Sequence, residues 1–187
     1  FFLLKKNIIN ELEKTAEELI NTFSSFDEEE VNTIPFEGSW TAGQVAEHLL
    51  KSDVSGAVYG KTQKTERDPA EKVENLRKVF LDYSIKMKNP DFNTPTHTKH
   101  NRENVISLLQ KMESRIIKAA KTFDLTETCL DFQMPQSGTL TRMEWIYFSI
   151  FHTQRHTRQL KNIHQKLESK KKETFHPEKN FRRNKPL

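Results

Sequence analysis

What the chain has little of narrows its class before any motif is read. It holds one cysteine, Cys129, so no internal disulfide can form and the disulfide-stapled scaffolds are excluded. A lone thiol with no positioned base near it in sequence reads as a small packing residue. An unbridged chain suits a reducing compartment, and a cytoplasmic location is expected. Glycine occurs only five times in 187 residues, as amphipathic helices require, since each interior glycine weakens a helix. No apolar run approaches the roughly 20 residues that a membrane span needs. Phe1 to Leu4 is apolar and precedes Lys5 and Lys6, but it is too short for the core of a signal peptide and runs directly into a helical pattern. Strand-like alternation long enough to define a sheet is absent, as is any repeat of the solenoid kind.

What is present is charge: 30% of residues are charged against 34% hydrophobic, in a length that supports one well-buried domain. The formal net charge of +4 would point to a nucleic-acid partner if it were spread over the fold. It is concentrated instead. Residues 161–187 contain nine Lys or Arg against three Glu, which leaves 21 basic and 23 acidic residues in the first 160. The basicity belongs to a polar, proline-punctuated tail, residues 168–187, expected to be disordered, behind a domain spanning 1–167. Neither a nucleic-acid nor a membrane partner is expected.

Apolar positions recur at helical spacing in five stretches, and the expected fold class is all-α. Ile8, Ile9, Leu12, Ala16, Leu19, Ile20 and Phe23 predict a helix over about 4–23. A second opens at Trp40-Thr-Ala-Gly-Gln-Val45, where Thr41 and Gln44 make a capping box and Trp40 and Val45 a hydrophobic staple, and is expected to reach Tyr59. Val73, Leu76, Phe80, Tyr83 and Met87 predict a peripheral helix over 69–88, and the apolar positions from Val105 to Phe123 predict the most strongly periodic one, over about 102–123. Residues 124–139 read as a loop. The last helix opens with Leu140-Thr-Arg-Met-Glu-Trp145, which repeats the device: Thr141 and Glu144 as capping box, Leu140 and Trp145 as staple.

Those two starts set the register of three histidines. His48 lies on the core-facing stripe of the second helix with Val45 and Leu49. His152 and His156 stand four residues apart on the inward face of the last helix, where Cβ atoms are about 6 Å apart. If the two helices are neighbours, His48, His152 and His156 converge. Three neutral imidazoles with open positions describe a catalytic-type zinc or nickel site. No glutamate stands three residues before any of them, as a carboxylate-bridged di-metal bundle requires, and Thr153 occupies the place of the glutamate in His-Glu-x-x-His. Gln44, Arg155 and Arg158 are candidates for contacts around the site. His97 and His100 are expected in an exposed loop, His164 off the histidine face, and His176 in the tail.

The stretches Trp40-Thr-Ala-Gly-Gln-Val-Ala-Glu-His-Leu49 and Gly138-Thr-Leu-Thr-Arg-Met-Glu-Trp-Ile-Tyr-Phe148, the latter leading into His152-Thr-Gln-Arg-His156 and Gln159-Leu160, resemble the two signature regions of the DinB/YfiT-like metal-dependent enzymes. Similarity of organisation extends over about residues 4–167. The resemblance implies a DinB-like four-helix bundle, with the helix at 69–88 as an addition between the second and third core helices. It implies a divalent metal held by one histidine on the second helix and an i, i+4 pair on the last, positions that match His48, His152 and His156. It also implies chemistry of the thiol-dependent S-transferase kind, with a small-molecule substrate and a low-molecular-weight thiol as cosubstrate. Two alternatives stand beside it: a metal-dependent hydrolase on the same ligands, and a non-catalytic helical module with a structural or vestigial metal site. A homodimer paired through a flat helix face is a further expectation.

Overall fold

The computed structural model describes residues 2–175, and helices dominate it. In chain order these are α1 (Phe2–Ser24), α2 (Glu28–Val31), α3 (Ala42–Lys51), α4 (Ser55–Val58), strand β1 (Thr62–Gln63), α5 (Val73–Leu81), a 3-10 turn (Asp91–Asn93), α6 (Arg102–Thr122), strands β2 (Thr128–Met134) and β3 (Gly138–Thr141), and α7 (Arg142–Phe175). The bundle proper is α1, α3 with α4, α6 and α7: α1 packs on α6 and α7, and α3 on the same two helices from another side. The additional helix α5 packs along α7. None of the described helices is long and apolar enough to cross a membrane.

Both expected capping boxes form. In α3 the Gln44 amide N–H donates to Thr41 Oγ1 (3.1 Å) and the Thr41 N–H to Gln44 Oε1 (3.0 Å). At α7 the Glu144 N–H donates to Thr141 Oγ1 (3.1 Å) and the Thr141 N–H to Glu144 Oε2 (2.9 Å). Glu144 does more than cap. Its fully buried carboxylate also takes both terminal nitrogens of Arg67, at 2.7 and 2.6 Å, and the Lys72 N–H at 2.9 Å. The start of α7 is thereby tied to the segment that leads into α5.

Four expectations are corrected. The second helix does not run to Tyr59: it stops after Lys51, because Ser52 Oγ turns back onto the His48 carbonyl (2.8 Å) and Asp53 Oδ1 captures the Ser55 N–H (2.8 Å), starting the separate turn α4. The helix expected over 69–88 is confined to Val73–Leu81, since Asp82 Oδ1 takes the N–H and hydroxyl of Ser84 in a local turn. The loop expected over 124–139 contains most of a three-stranded antiparallel sheet, in the order β1-β2-β3. Leu130, Phe132 and Met134 alternate with Asp131 and Gln133, but Leu130 through Gln133 are all exposed, so the strand has no buried face along this stretch. The β2–β3 turn passes through Gln136 and Gly138, both at positive φ. Finally, α7 continues through residues 168–175, the first part of the expected disordered tail, while the rest of that tail, His176 included, lies outside the described residues.

The core divides into two apolar clusters. Ile8, Leu12, Ile116, Leu140, Ile146 and Ile150 belong to one, and Leu19, Phe23, Val45, Leu49, Leu109 and Leu160 to the other. On α1, α6 and α7 buried polar residues lie between these two sets, namely Thr15, Glu113, and His152, Thr153, His156 and Thr157, while His48 of α3, set among the second cluster, meets the α7 histidines. A polar layer crosses the middle of the bundle.

Glu113 is 3% exposed, and its Oε1 has no hydrogen-bond partner among the described residues. Burial first, and the Asp53 charge second, push its carboxyl up to about 7. The unfolded chain releases this proton near 4.5, so the native state binds more protons between those values and stability falls as pH rises through them. Glu113→Gln is expected to be neutral near pH 4.5 and stabilising by about 3 kcal/mol above pH 7 in urea denaturation; a pH-independent difference would contradict it. Glu144→Ala removes a cap and leaves Arg67 without its carboxylate, and is expected to cost about 3 kcal/mol. Glu74→Ala, which breaks only an exposed pair with Lys78, is expected to cost under about 0.5 kcal/mol in the same assay.

Candidate metal centre

The capping box at Thr41 turns His48 inward, and the one at Thr141 turns His152 and His156 toward it. All three side chains are buried, at 2%, 8% and 8% exposure. His48 Nε2 lies 3.1 Å from His152 Nε2, and His156 Nε2 lies 3.1 Å from the same atom. One ring nitrogen from each residue lies within 4.8 Å of the other two. The structure therefore brings together the three histidines that the sequence singles out.

Their outer nitrogens decide what the inner ones are. His48 Nδ1 is 2.9 Å from the backbone carbonyl oxygen of Asn93, which can only accept, so Nδ1 carries the proton and Nε2 of the neutral ring presents a lone pair. His156 Nδ1 stands 2.8 Å from Gln159 Oε1 and is fixed in the same tautomer. A proton on His152 Nε2 would satisfy one of these two neighbours and leave the other unpaired. Protonating the rings further is opposed by the surroundings. Burial, followed by the charges of His156, His48 and Arg155, holds the His152 pKa well below its ordinary value. Burial, followed by His48, brings His156 down to about 3 despite the Gln159 bond, and burial lowers His48 despite the Asn93 carbonyl.

The residues present fit a divalent metal ion. Three neutral imidazoles offer lone pairs to one point, and two of them donate their other N–H to an oxygen acceptor, the usual outer support of metal-binding histidines. Tetrahedral zinc–nitrogen bonds of about 2.0–2.1 Å place ligand nitrogens about 3.3 Å apart, close to the spacing found.

Aromatic rings wall the cluster. Phe148 stacks on His152 with centroids 5.3 Å apart, Phe80 meets the same ring edge-on at 5.9 Å, and Trp40 lies 5.3 Å from His48. The Phe80 wall is held from α7: Arg155, beside His156, donates to the carbonyl oxygens of Phe80 (3.1 Å), Asp82 (3.0 Å) and Ile85 (2.5 Å). Arg158 lies over the Tyr83 ring at 4.3 Å. Both arginines thus brace the end of α5. Gln44 is likewise occupied, closing its capping box and donating to the Thr96 carbonyl at 2.8 Å.

The remaining candidates lie apart from the cluster. His97 is exposed, as expected, whereas His100 is half-buried and pairs with Glu47 at 2.9 Å. His164 stands beside Glu30 and Glu168. Cys129 is buried, and desolvation pushes its thiol up to about 11, so it is a packing residue. Sequence reading missed the Asn93 carbonyl, which any residue type could supply. The Gln159 amide was visible at i+3 from His156 but carried no signal until the ring orientation was known.

Fold and site together define a helical-bundle protein with a buried three-histidine cluster suited to a divalent metal. The chain belongs to the DinB superfamily, whose family model matches residues 11–160. A protein of Oceanobacillus iheyensis named "putative metal-dependent hydrolase" is 25% identical over 148 residues, 79% of this chain and 78% of that one. Among solved structures, YfiT from Bacillus subtilis, described as "a probable metal-dependent hydrolase with an unusual four-helix bundle topology", superposes with a TM-score of 0.56 at 15% identity, covering 88% of this chain and 87% of YfiT. The four-helix bundle protein TT2238 gives 0.52 at 19% identity, over 84% and 98% of the two chains. These two likenesses establish the four-helix bundle. The family match, the curated relative and the histidine cluster support a metal-dependent function.

Gln159→Leu removes the acceptor that orients His156 without touching a ring nitrogen of the cluster. Divalent-metal affinity, measured by competition with a chromogenic chelator, is expected to fall about 10- to 100-fold. An unchanged affinity would mean that the Gln159 contact has no part in holding the ligand.

Proposed function

We propose that His48, His152 and His156 hold zinc or nickel, and that the chain is an enzyme that activates a thiol for transfer to an electrophilic small molecule. The observation that carries this reading is the convergence of three buried imidazoles, two of them oriented by oxygen acceptors at Nδ1. When bound, the ion supplies an open Lewis-acidic position, at which a coordinated thiol is deprotonated outright. The chain does the rest. His48, His152 and His156 stay neutral at physiological pH, leaving a net positive site for the thiolate. The rings of Trp40, Phe80 and Phe148 keep water from the reacting groups, and Arg155 holds the Phe80 wall in place. The thiol proton goes to solvent, the sulfur forms a bond to the electrophilic carbon, and the leaving group departs with its electron pair.

Transfer is preferred to hydrolysis by the resemblance to the thiol-dependent members of the DinB/YfiT-like family. The three-histidine donor set itself would serve a coordinated water as well as a coordinated thiol. The second reading, hydrolysis of a small molecule on the same three ligands, is favoured by the name of the Oceanobacillus relative.

Two measurements in sequence test both readings. Plasma mass spectrometry on untagged protein is expected to find bound Zn or Ni in the wild type and about one equivalent less in folded His48→Ala or His152→Ala. No metal in the wild type, even after reconstitution, contradicts the metalloenzyme reading. The loaded protein is then assayed against electrophilic substrates with and without added thiol: thiol-dependent turnover supports transfer, and thiol-independent turnover replaces it with hydrolysis.

A further inference from the structure

Eight residues beyond His156, α7 presents another ligand-like spacing. His164 and Glu168 stand four apart on one helix face, and Glu30, the third residue of α2, meets them there. One donor atom from each of the three side chains lies within 4.8 Å of the other two. Among the described residues no hydrogen bond joins His164 to either carboxylate, so the three gather round a common point without being paired to one another. Phe26, 1% exposed, sets its ring against His164 edge-on at 5.0 Å and closes the apolar side of the group.

The site already requires a cation. Glu30 is 5% exposed, and a buried carboxylate is costly without a positive partner. Lys171, one turn past Glu168 but on a side chain 56% exposed, brings its ammonium to 2.6 Å from Glu30 Oε1 and 3.4 Å from Asp27. Glu30 Oε2 meanwhile accepts the Asp27 N–H at 2.9 Å, which fixes the carboxylate plane. The half-exposed Lys171 side chain has water at hand to replace its contact with Glu30, whereas the buried Glu30 carboxylate does not. Two carboxylates and one imidazole, with positions left for water, suit a divalent ion of intermediate hardness such as zinc or manganese.

We propose that Glu30, His164 and Glu168 form a second divalent-cation site, at which the ion exchanges with the Lys171 ammonium and clamps α2 to the far part of α7. The clamp stands apart from the three-histidine cluster and does not depend on it. One of its ligands, Glu30, comes from α2, ahead of the segment that delivers Trp40 and the α3 capping box, and its effect is on the seating of that segment.

The test is calorimetric titration of Zn²⁺ into the full-length His48→Ala/His152→Ala chain, with native mass spectrometry for stoichiometry. About one equivalent is expected to bind, and adding His164→Gln or Glu168→Gln is expected to weaken it at least about tenfold. Both added positions are partly exposed, so the fold, checked by circular dichroism, is expected to survive. Should the double-alanine chain not fold, the same substitutions in the wild type are expected to remove one of two bound equivalents and leave the other at its original affinity. Lys171→Met is expected to tighten binding by removing the competing ammonium, and weaker binding there would overturn the exchange. Absence of saturable binding, or binding that survives both glutamine substitutions at the parent affinity, would overturn the site.

Discussion

Three ring nitrogens at contacts of 3.1 Å inside a protein form an arrangement that needs positive charge at its centre. Protons are a poor source of it, because burial and mutual repulsion drive the imidazole pKa values down. Lone pairs facing one another in a dry interior are unfavourable, and the fold must hold them there. Much of the surrounding structure can be understood as the means of holding them.

Each helix that contributes a histidine is pinned at its start and braced near its ligand. On α3 the Thr41–Gln44 box sets the register, and the Asn93 carbonyl fixes the His48 ring. The same Gln44 donates to Thr96, so the loop that supplies Asn93 is anchored by the helix that it serves. On α7 the Thr141–Glu144 box plays the first part and Gln159 the second. Glu144 extends the bracing to Arg67 and Lys72, and Arg155 extends it to the end of α5. The additional helix thus enters the site through Phe80, as a wall held in place by residues of the metal-bearing helix.

The parts legible in the sequence are those written locally. A capping box spans four residues, a histidine pair spans five, and both can be read without knowing what lies across the bundle. The resemblance to the DinB family added the pairing of the two helices, and the matched residues 11–160 contain all three histidines. What could not be read depends on partners distant in sequence. The helix break at Ser52 arises from a back-turned hydroxyl and an aspartate that caps the next turn, on residue types equally at home in a continuous helix. The β2–β3 hairpin hides because its apolar alternation runs only from Leu130 to Met134 before Pro135 interrupts it. The half-burial of His100 comes from Glu47, more than fifty positions earlier.

A buried nitrogen cluster with aromatic walls fits a divalent metal, and the family match and the curated relative support a metal-dependent function. Everything in that account rests on one coordination sphere, so the most direct measurement is X-ray absorption at the metal edge of zinc- or nickel-reconstituted protein. Three imidazole nitrogens at about 2.0–2.1 Å, with the remaining position filled by a light-atom or sulfur donor that changes when thiol is added, is the expected result for the zinc form. A first shell of water and carboxylate oxygens without imidazole scattering, or a protein that retains no metal, would contradict it.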